Sequence, residues 1–232
     1  MKHQFISFLI VFVIGSVFSS NLFAAGDAQR GKEKYKVCVA CHGEKGEGIK
    51  IANAPRISGQ QSWYIARQLY NFKQGIRGTH LDDITGMQMR TMAMTLYTEK
   101  DIDDIVSYIA TLDGRGKHIG INGSIKAGKS AYSVCVTCHG ANGEGNTALN
   151  SPKIAGLPDW YVERQLHNFK NGIRGVHPKD IYGQQMRPMA MALASDQAIR
   201  DVTAYVSTLK GISIAKPAGA KSNLIAAVVK NP

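Results

Sequence analysis

Displaced by 97 residues, the chain lies on itself: Gly31 to Leu112 falls on Gly128 to Leu209 without a gap, and more than half of the paired residues are identical. The clearest stretch sets Trp63 to Leu69 against Trp160 to Leu166. Two copies of roughly 80 residues are too few and too long for a solenoid, which stacks at least three shorter units. They predict two similar domains facing each other across a pseudo-twofold axis. The expected organisation is a leader at 1–25, a first domain at 26–113, a linker at 114–124, a second domain at 125–211 and a tail at 212–232. The linker, from Gly114 to Ser124, is rich in Gly and polar residues. The tail holds a short apolar run, Leu224 to Val229, to which no function attaches.

Each copy reads as three helices separated by long loops, and nothing in it resembles a paired strand, so the fold class is all-α. Asp27 caps a first helix that runs into Cys38. Ser62 and Asp159 are placed to cap a second, which Gly75 and Gly172 end. Thr98 and Asp101 form an aspartate version of the capping box before a third helix. Ile102, Ile105, Val106 and Ile109 then share one helical face, and Ser195, Ile199, Val202 and Val206 repeat that design. The loop from Gly43 to Gly59 is long and Gly-rich, which argues against a compact domain. A domain this small with so little regular structure lacks an adequate core of its own. Something other than protein must fill it.

All four cysteines fall in two identical frames, Cys38-Val39-Ala40-Cys41-His42 and Cys135-Val136-Thr137-Cys138-His139. Cys-x-x-Cys-His is the attachment signature of c-type haem. Two thiols three residues apart on one turn reach both vinyl groups of a single porphyrin, and the adjacent His is placed under the iron. A thioredoxin-like redox pair needs no His in both copies and wants a βαβ setting that is missing here. A zinc site would have to gather ligands from both domains. Two covalent haems are the reading that remains. For the second axial ligand, Met89, Met92 and Met94 recur as Met186, Met189 and Met191, whereas Met87 becomes Gln184. At most one of each trio binds iron, and the rest are core fillers. His80 and His177 also recur, as turn residues or as ligands of a low-potential bis-His haem.

These residues resemble the dihaem cytochrome c4 family from about Ala25 to Leu209. The likeness runs through Ala25-Gly26-Asp27-Ala28, each Cys-x-x-Cys-His-Gly, Pro-x-Ile-x-Gly at Pro55 and Pro152, and Tyr-x-x-x-Gln-Leu at Tyr64 and Tyr161. It ends with the Met region ahead of Leu96 and Leu193. The resemblance implies cytochrome c-like domains wrapped around haem. It implies Met89 and Met186, seven residues before those leucines, as ligands opposite His42 and His139. It also implies that the carbonyls of Pro55 and Pro152 orient the two histidines. The unusual likeness of the halves and the extra sulfurs of Met-Arg-x-Met-Ala-Met depart from the family pattern. Trp63, Tyr64, Phe72 and their copies read as pocket packing. Arg77, Arg90, Arg174 and Arg187 either pair with haem carboxylates or are solvated.

Lys2, the apolar run from Phe5 to Phe18 and the small residues Ala24 and Ala25 have the layout of an export signal, which places the protein in the periplasm. The formal charge of +11 is uneven. Residues 26–113 carry 12 Lys and Arg against 11 acids, and residues 114–232 carry 15 against 6. Export argues against nucleic acid. The expected partners are redox proteins with acidic docking surfaces, such as a cytochrome oxidase, a quinol-oxidising complex or a small carrier; peripheral contact with an anionic membrane is a further expectation. Lys170, Arg174 and Lys179 are candidate docking cations. The expected function is single-electron carriage, with no catalytic residues. The alternative is the cytochrome subunit of a redox enzyme, such as a flavocytochrome c sulfide dehydrogenase. A haem enzyme or gas sensor would need one iron site left open. No Ser/His/Asp arrangement, phosphate loop or paired carboxylates point to other catalysis.

Overall fold

The computed structural model describes residues 26–114 and 120–211. The export signal and the tail fall outside the described residues, as does part of the linker. The first half comprises α1 (Ala28–Tyr35), α2 (Val39–His42), α3 (Ser62–Lys73), α4 (Ile84–Met94) and α5 (Glu99–Ile109). The second repeats the order as α6 (Ile125–Ala131), α7 (Val136–His139), α8 (Asp159–Lys170), α9 (Ile181–Met191) and α10 (Asp196–Thr208). Among the described residues there are no strands, only isolated bridges joining Ile49 to Ala54 and Asn146 to Ser151. No described helix is long and apolar enough to cross a membrane.

Local chemistry explains most of these boundaries. Asp27 accepts from the N–H groups of Gln29 and Arg30 at the start of α1. Thr98 and Asp101 cap α5 reciprocally, and Ser195 caps α10. Ser62 and Asp159, however, are the first residues inside α3 and α8 and not their caps; Gln61 and Pro158 stand at the caps and make no side-chain bond to the helix N–H groups. The structure also adds a helix that the three-helix reading lacks. Asp83 and Asp180 accept from Gly86 and Gly183 and start α4 and α9, which carry the methionines.

In each half the terminal helices cross: α1 on α5 and α6 on α10. A Cβ on Gly31 would stand 2.0 Å from the Asp104 carbonyl oxygen, and one on Gly128 1.9 Å from that of Asp201. Only glycine lets these backbones approach so closely. Ile102, Ile105, Val106 and Ile109 are all buried, with Tyr35, Ile65, Ala66 and Leu96 around them. Tyr132, Leu193, Ile199, Val202 and Val206 repeat the arrangement.

The halves meet through a polar, pseudo-symmetric seam. Arg67 donates to the carbonyl (2.7 Å) and side chain (3.1 Å) of Asn150. Arg164 reaches the same two atoms of Asn53 at 3.0 and 3.3 Å. Both asparagines hold the left-handed conformation, at φ 54°, which Asn tolerates better than most residues. At the centre Gln68 and Gln165 each accept from both Arg77 and Arg174, at 2.6 to 2.9 Å. Each of these arginines also stacks on a phenylalanine, Phe72 or Phe169, 4.5 Å from the ring centre. Arg77 and Arg174 are each only 8% exposed, so the solvated alternative fails for both.

Candidate haem-attachment sites

The Cys-x-x-Cys-His segments form single helical turns. In the first half the Cys41 and His42 N–H groups donate to the Cys38 carbonyl at 3.2 and 2.8 Å, and the second half matches at Cys138, His139 and Cys135. That turn aims the two sulfurs differently: Cys38 and Cys135 are partly buried, whereas Cys41 and Cys138 are exposed. Burial pushes the Cys38 and Cys135 thiols up to about 11. The preceding helix ties in through a tyrosine on each side. Tyr35 donates to the Gly43 carbonyl at 2.8 Å and Tyr132 to that of Gly140 at 2.7 Å. Each tyrosine also rests on a ring of the crossing helix, Tyr108 or Tyr205.

His42 and His139 are each 6% exposed. His42 Nδ1 lies 2.8 Å from the Pro55 carbonyl oxygen, and His139 Nδ1 lies 2.8 Å from that of Pro152. A carbonyl only accepts, so Nδ1 carries the proton in both rings and Nε2 keeps its lone pair. Burial lowers the pKa of both imidazoles, against the opposing effect of the carbonyl bond, and favours the neutral ring that ligates metal. Two thiols and a neutral imidazole with a free Nε2, fixed on one turn, suit a covalent haem c in each half. Three clustered His, Cys, Asp or Glu groups able to hold a bare metal ion do not occur among the described residues.

Met89 and Met186 lie on α4 and α9, which pack against α3 and α8. Both are partly buried, whereas Met92, Met94, Met189 and Met191 are 36 to 58% exposed. His80 and His177 sit in the turns after α3 and α8. Their Nδ1 atoms accept from the N–H of Asp82 at 3.2 Å and of Lys179 at 3.1 Å. With Arg77 and Arg174 they line a cavity of about 210 Å³ between the halves. The seam residues Arg67, Arg164, Asn53 and Asn150 escaped the sequence reading, although all four are repeated. Gln60 and Gln61, which bond across the seam to Lys153, are not repeated and left no signal.

The profile of the cytochrome c family matches residues 28–113 and again 125–210. Cytochrome c4 of Azotobacter vinelandii is 30% identical over 209 residues, covering 82% of this chain and 90% of its own. A thiosulfate dehydrogenase electron acceptor of Stutzerimonas stutzeri is 28% identical, covering 74% of this chain and 78% of its own. Among solved structures, reduced cytochrome c4 from Pseudomonas stutzeri superposes with a TM-score of 0.63 at 28% identity, covering 80% of this chain and all of that one.

Proposed function

The chain belongs to the dihaem cytochrome c4 family, and we propose that it works as a periplasmic carrier of single electrons between respiratory redox partners. It holds two covalent haem c groups and is an electron-transfer protein, not an enzyme. Haem c supplies a one-electron ferric/ferrous couple. We assign the thioether links to Cys38, Cys41, Cys135 and Cys138, the proximal ligands to His42 and His139, and the distal ligands to Met89 and Met186. The observation that carries this reading is the pair of buried histidines, each fixed through Nδ1 to a proline carbonyl at 2.8 Å with Nε2 left for iron. The lower exposure of Met89 and Met186 within their trios supports them as ligands. Haem held by these histidines and methionines would leave iron no position for substrate, and would supply one-electron transfer without a change of ligands.

The far-red spectrum of the ferric holoprotein tests the ligand set. A sulfur-to-iron charge-transfer band of two-haem intensity is expected, with half of it lost in Met89→Ala and half in Met186→Ala. A wild-type band of half intensity or none would overturn the carrier reading, and carbon monoxide binding to the reduced protein would identify an open iron.

Docking follows from charge. Arg174 is buried in the seam, and the Lys170 ammonium is bonded to the Leu193 carbonyl. Of the three cations singled out in the sequence, Lys179 is the exposed one, and Lys126, Lys129 and Lys210 join it on the second half. These four steer an acidic partner. The rate of oxidation by an anionic inorganic complex should fall with ionic strength and fall again in a Lys126/Lys129/Lys179→Gln variant. Rates as insensitive as those of a neutral complex would remove the steering role. The likeness to a thiosulfate dehydrogenase electron acceptor supports a second reading, as the dedicated acceptor of a sulfur-compound dehydrogenase. Stable copurification with such an enzyme is its test.

A further inference from the structure

The peptide group between Pro152 and Lys153 is bonded at both ends, and the two bonds come from different halves of the molecule. Its carbonyl accepts from His139 Nδ1 at 2.8 Å. Its N–H, on Lys153, donates to Gln61 Oε1 at 3.0 Å. Amide resonance makes the two ends one electronic unit. An N–H held by an acceptor shifts electron density toward the carbonyl oxygen, which then accepts more strongly.

We propose that Gln61 is a positioning residue for the haem of the other half, acting on His139 through this single peptide group. By engaging the Lys153 N–H it strengthens the His139 Nδ1–H bond and makes the opposite ring nitrogen a better donor to iron. A stronger donor favours ferric iron, so Gln61 lowers the reduction potential of the second haem. The inference rests on His139 as the proximal ligand.

The contacts around Gln61 hold it for this role. Its own N–H donates to Gln60 Oε1 at 2.8 Å, and Gln60 Nε2 donates to the Lys153 carbonyl at 2.8 Å. The Lys153 ammonium reaches the Gly59 carbonyl at 3.3 Å, and Arg67 holds Asn150 just upstream. The two glutamines are not repeated. In the first half the histidine bond is the same length, 2.8 Å to Pro55, but the residues matching Gln60 and Gln61 are Leu157 and Pro158, neither of which has a side-chain amide.

The test is a redox titration of the full-length holoprotein, following the haem-methyl proton resonances of each haem separately. In Gln61→Leu the second haem should become easier to reduce by about threefold in its ferrous-to-ferric ratio at fixed ambient potential. At 59 mV per decade for one electron this is about 28 mV. The first haem should stay where it is. Gln61→Glu, whose carboxylate accepts more strongly, should move the second haem the opposite way. An equal shift of both haems, as a loosened seam would give, overturns the proposal, and so does no shift or the reversed sign. Failure of the ligand assignment would show separately, as the absence of proximal-histidine ring signals for the second haem in the unaltered protein.

Discussion

Thr203 is fully buried in the second half and its hydroxyl has no partner among the described residues; the residue matching it in the first half is Val106. An unsatisfied buried hydroxyl costs about 1 to 3 kcal/mol. Thr203→Val should therefore stabilise the holoprotein by about 1 kcal/mol, a rise of a few degrees in Tm by calorimetry. A lower Tm would mean that the hydroxyl is satisfied. Asp104 shows the opposite economy. Burial alone would raise its carboxyl, but bonds from Arg30, the Asp27 N–H and Lys100 outweigh it and hold the pKa at about 2. The folded value lies below the ordinary 3.8. Its stabilisation is thus full above the unfolded pKa and is lost as pH falls from about 4 through about 2. We expect about 1 to 2 kcal/mol, discounted because Arg30 and Lys100 are half exposed. Asp201 occupies the matching place with Gln197 and the Ser124 N–H as partners, and among the described residues no arginine bonds it, Arg200 acting only through its charge. Asp104→Asn should lower the Tm at pH 7 more than Asp201→Asn does, and the gap should close near pH 2. A gap that persists there would assign it to packing.

At the scale of elements, the crossing of α1 on α5 and of α6 on α10 depends on one glycine each. Gly31→Ala and Gly128→Ala insert a methyl where a carbonyl oxygen stands about 2 Å away. Overpacking of this kind costs about 1 to 3 kcal/mol, and denaturant titration of each variant should show it. An unchanged midpoint would mean that the helices part without cost. The crossing helices were legible because Asp27, Thr98 and the Ile102 to Ile109 face announce themselves by cap and period. The helices α4 and α9 were not. Only Gly86 and Ala93 of α4, and Gly183 and Ala190 of α9, are buried, so Met89, Met92 and Met94 give no clean stripe, and the capping aspartates sit within turns. Ser62 and Asp159 misled for a related reason: a good capping residue is also acceptable one place later, in the first turn.

Over the whole molecule, the seam replaces apolar burial with shared amides. Arg174 is enclosed by Gln165, Gln68 and the Tyr64 hydroxyl, and Arg77 by Gln68, Gln165 and Tyr161. Between Arg77 and Arg174 the Tyr161 phenol has its pKa lowered, although burial alone would raise it. Hydrogen bonds from a charged donor are worth about 1.5 to 3 kcal/mol each. Arg174→Met should therefore cost on the order of 2 kcal/mol and split a single calorimetric transition into two, as the halves lose their coupling. One unchanged transition would place the coupling elsewhere in the seam.

The chain's residues alone determined the duplication, the all-α class, the two haem frames and the histidines beside them. Each of these is a matter of spacing along the backbone: a fixed offset of 97, a helical period, two thiols on one turn. Tertiary structure decided what depends on distance between residues far apart in the chain. It buried Arg77 and Arg174, which composition counts as surface charge, and it set Asn53 under Arg164 and Asn150 under Arg67. It also brought Gln61 to the peptide that holds His139. No periodicity encodes that last contact, because it joins the edges of two domains whose relative placement is fixed only when both have folded.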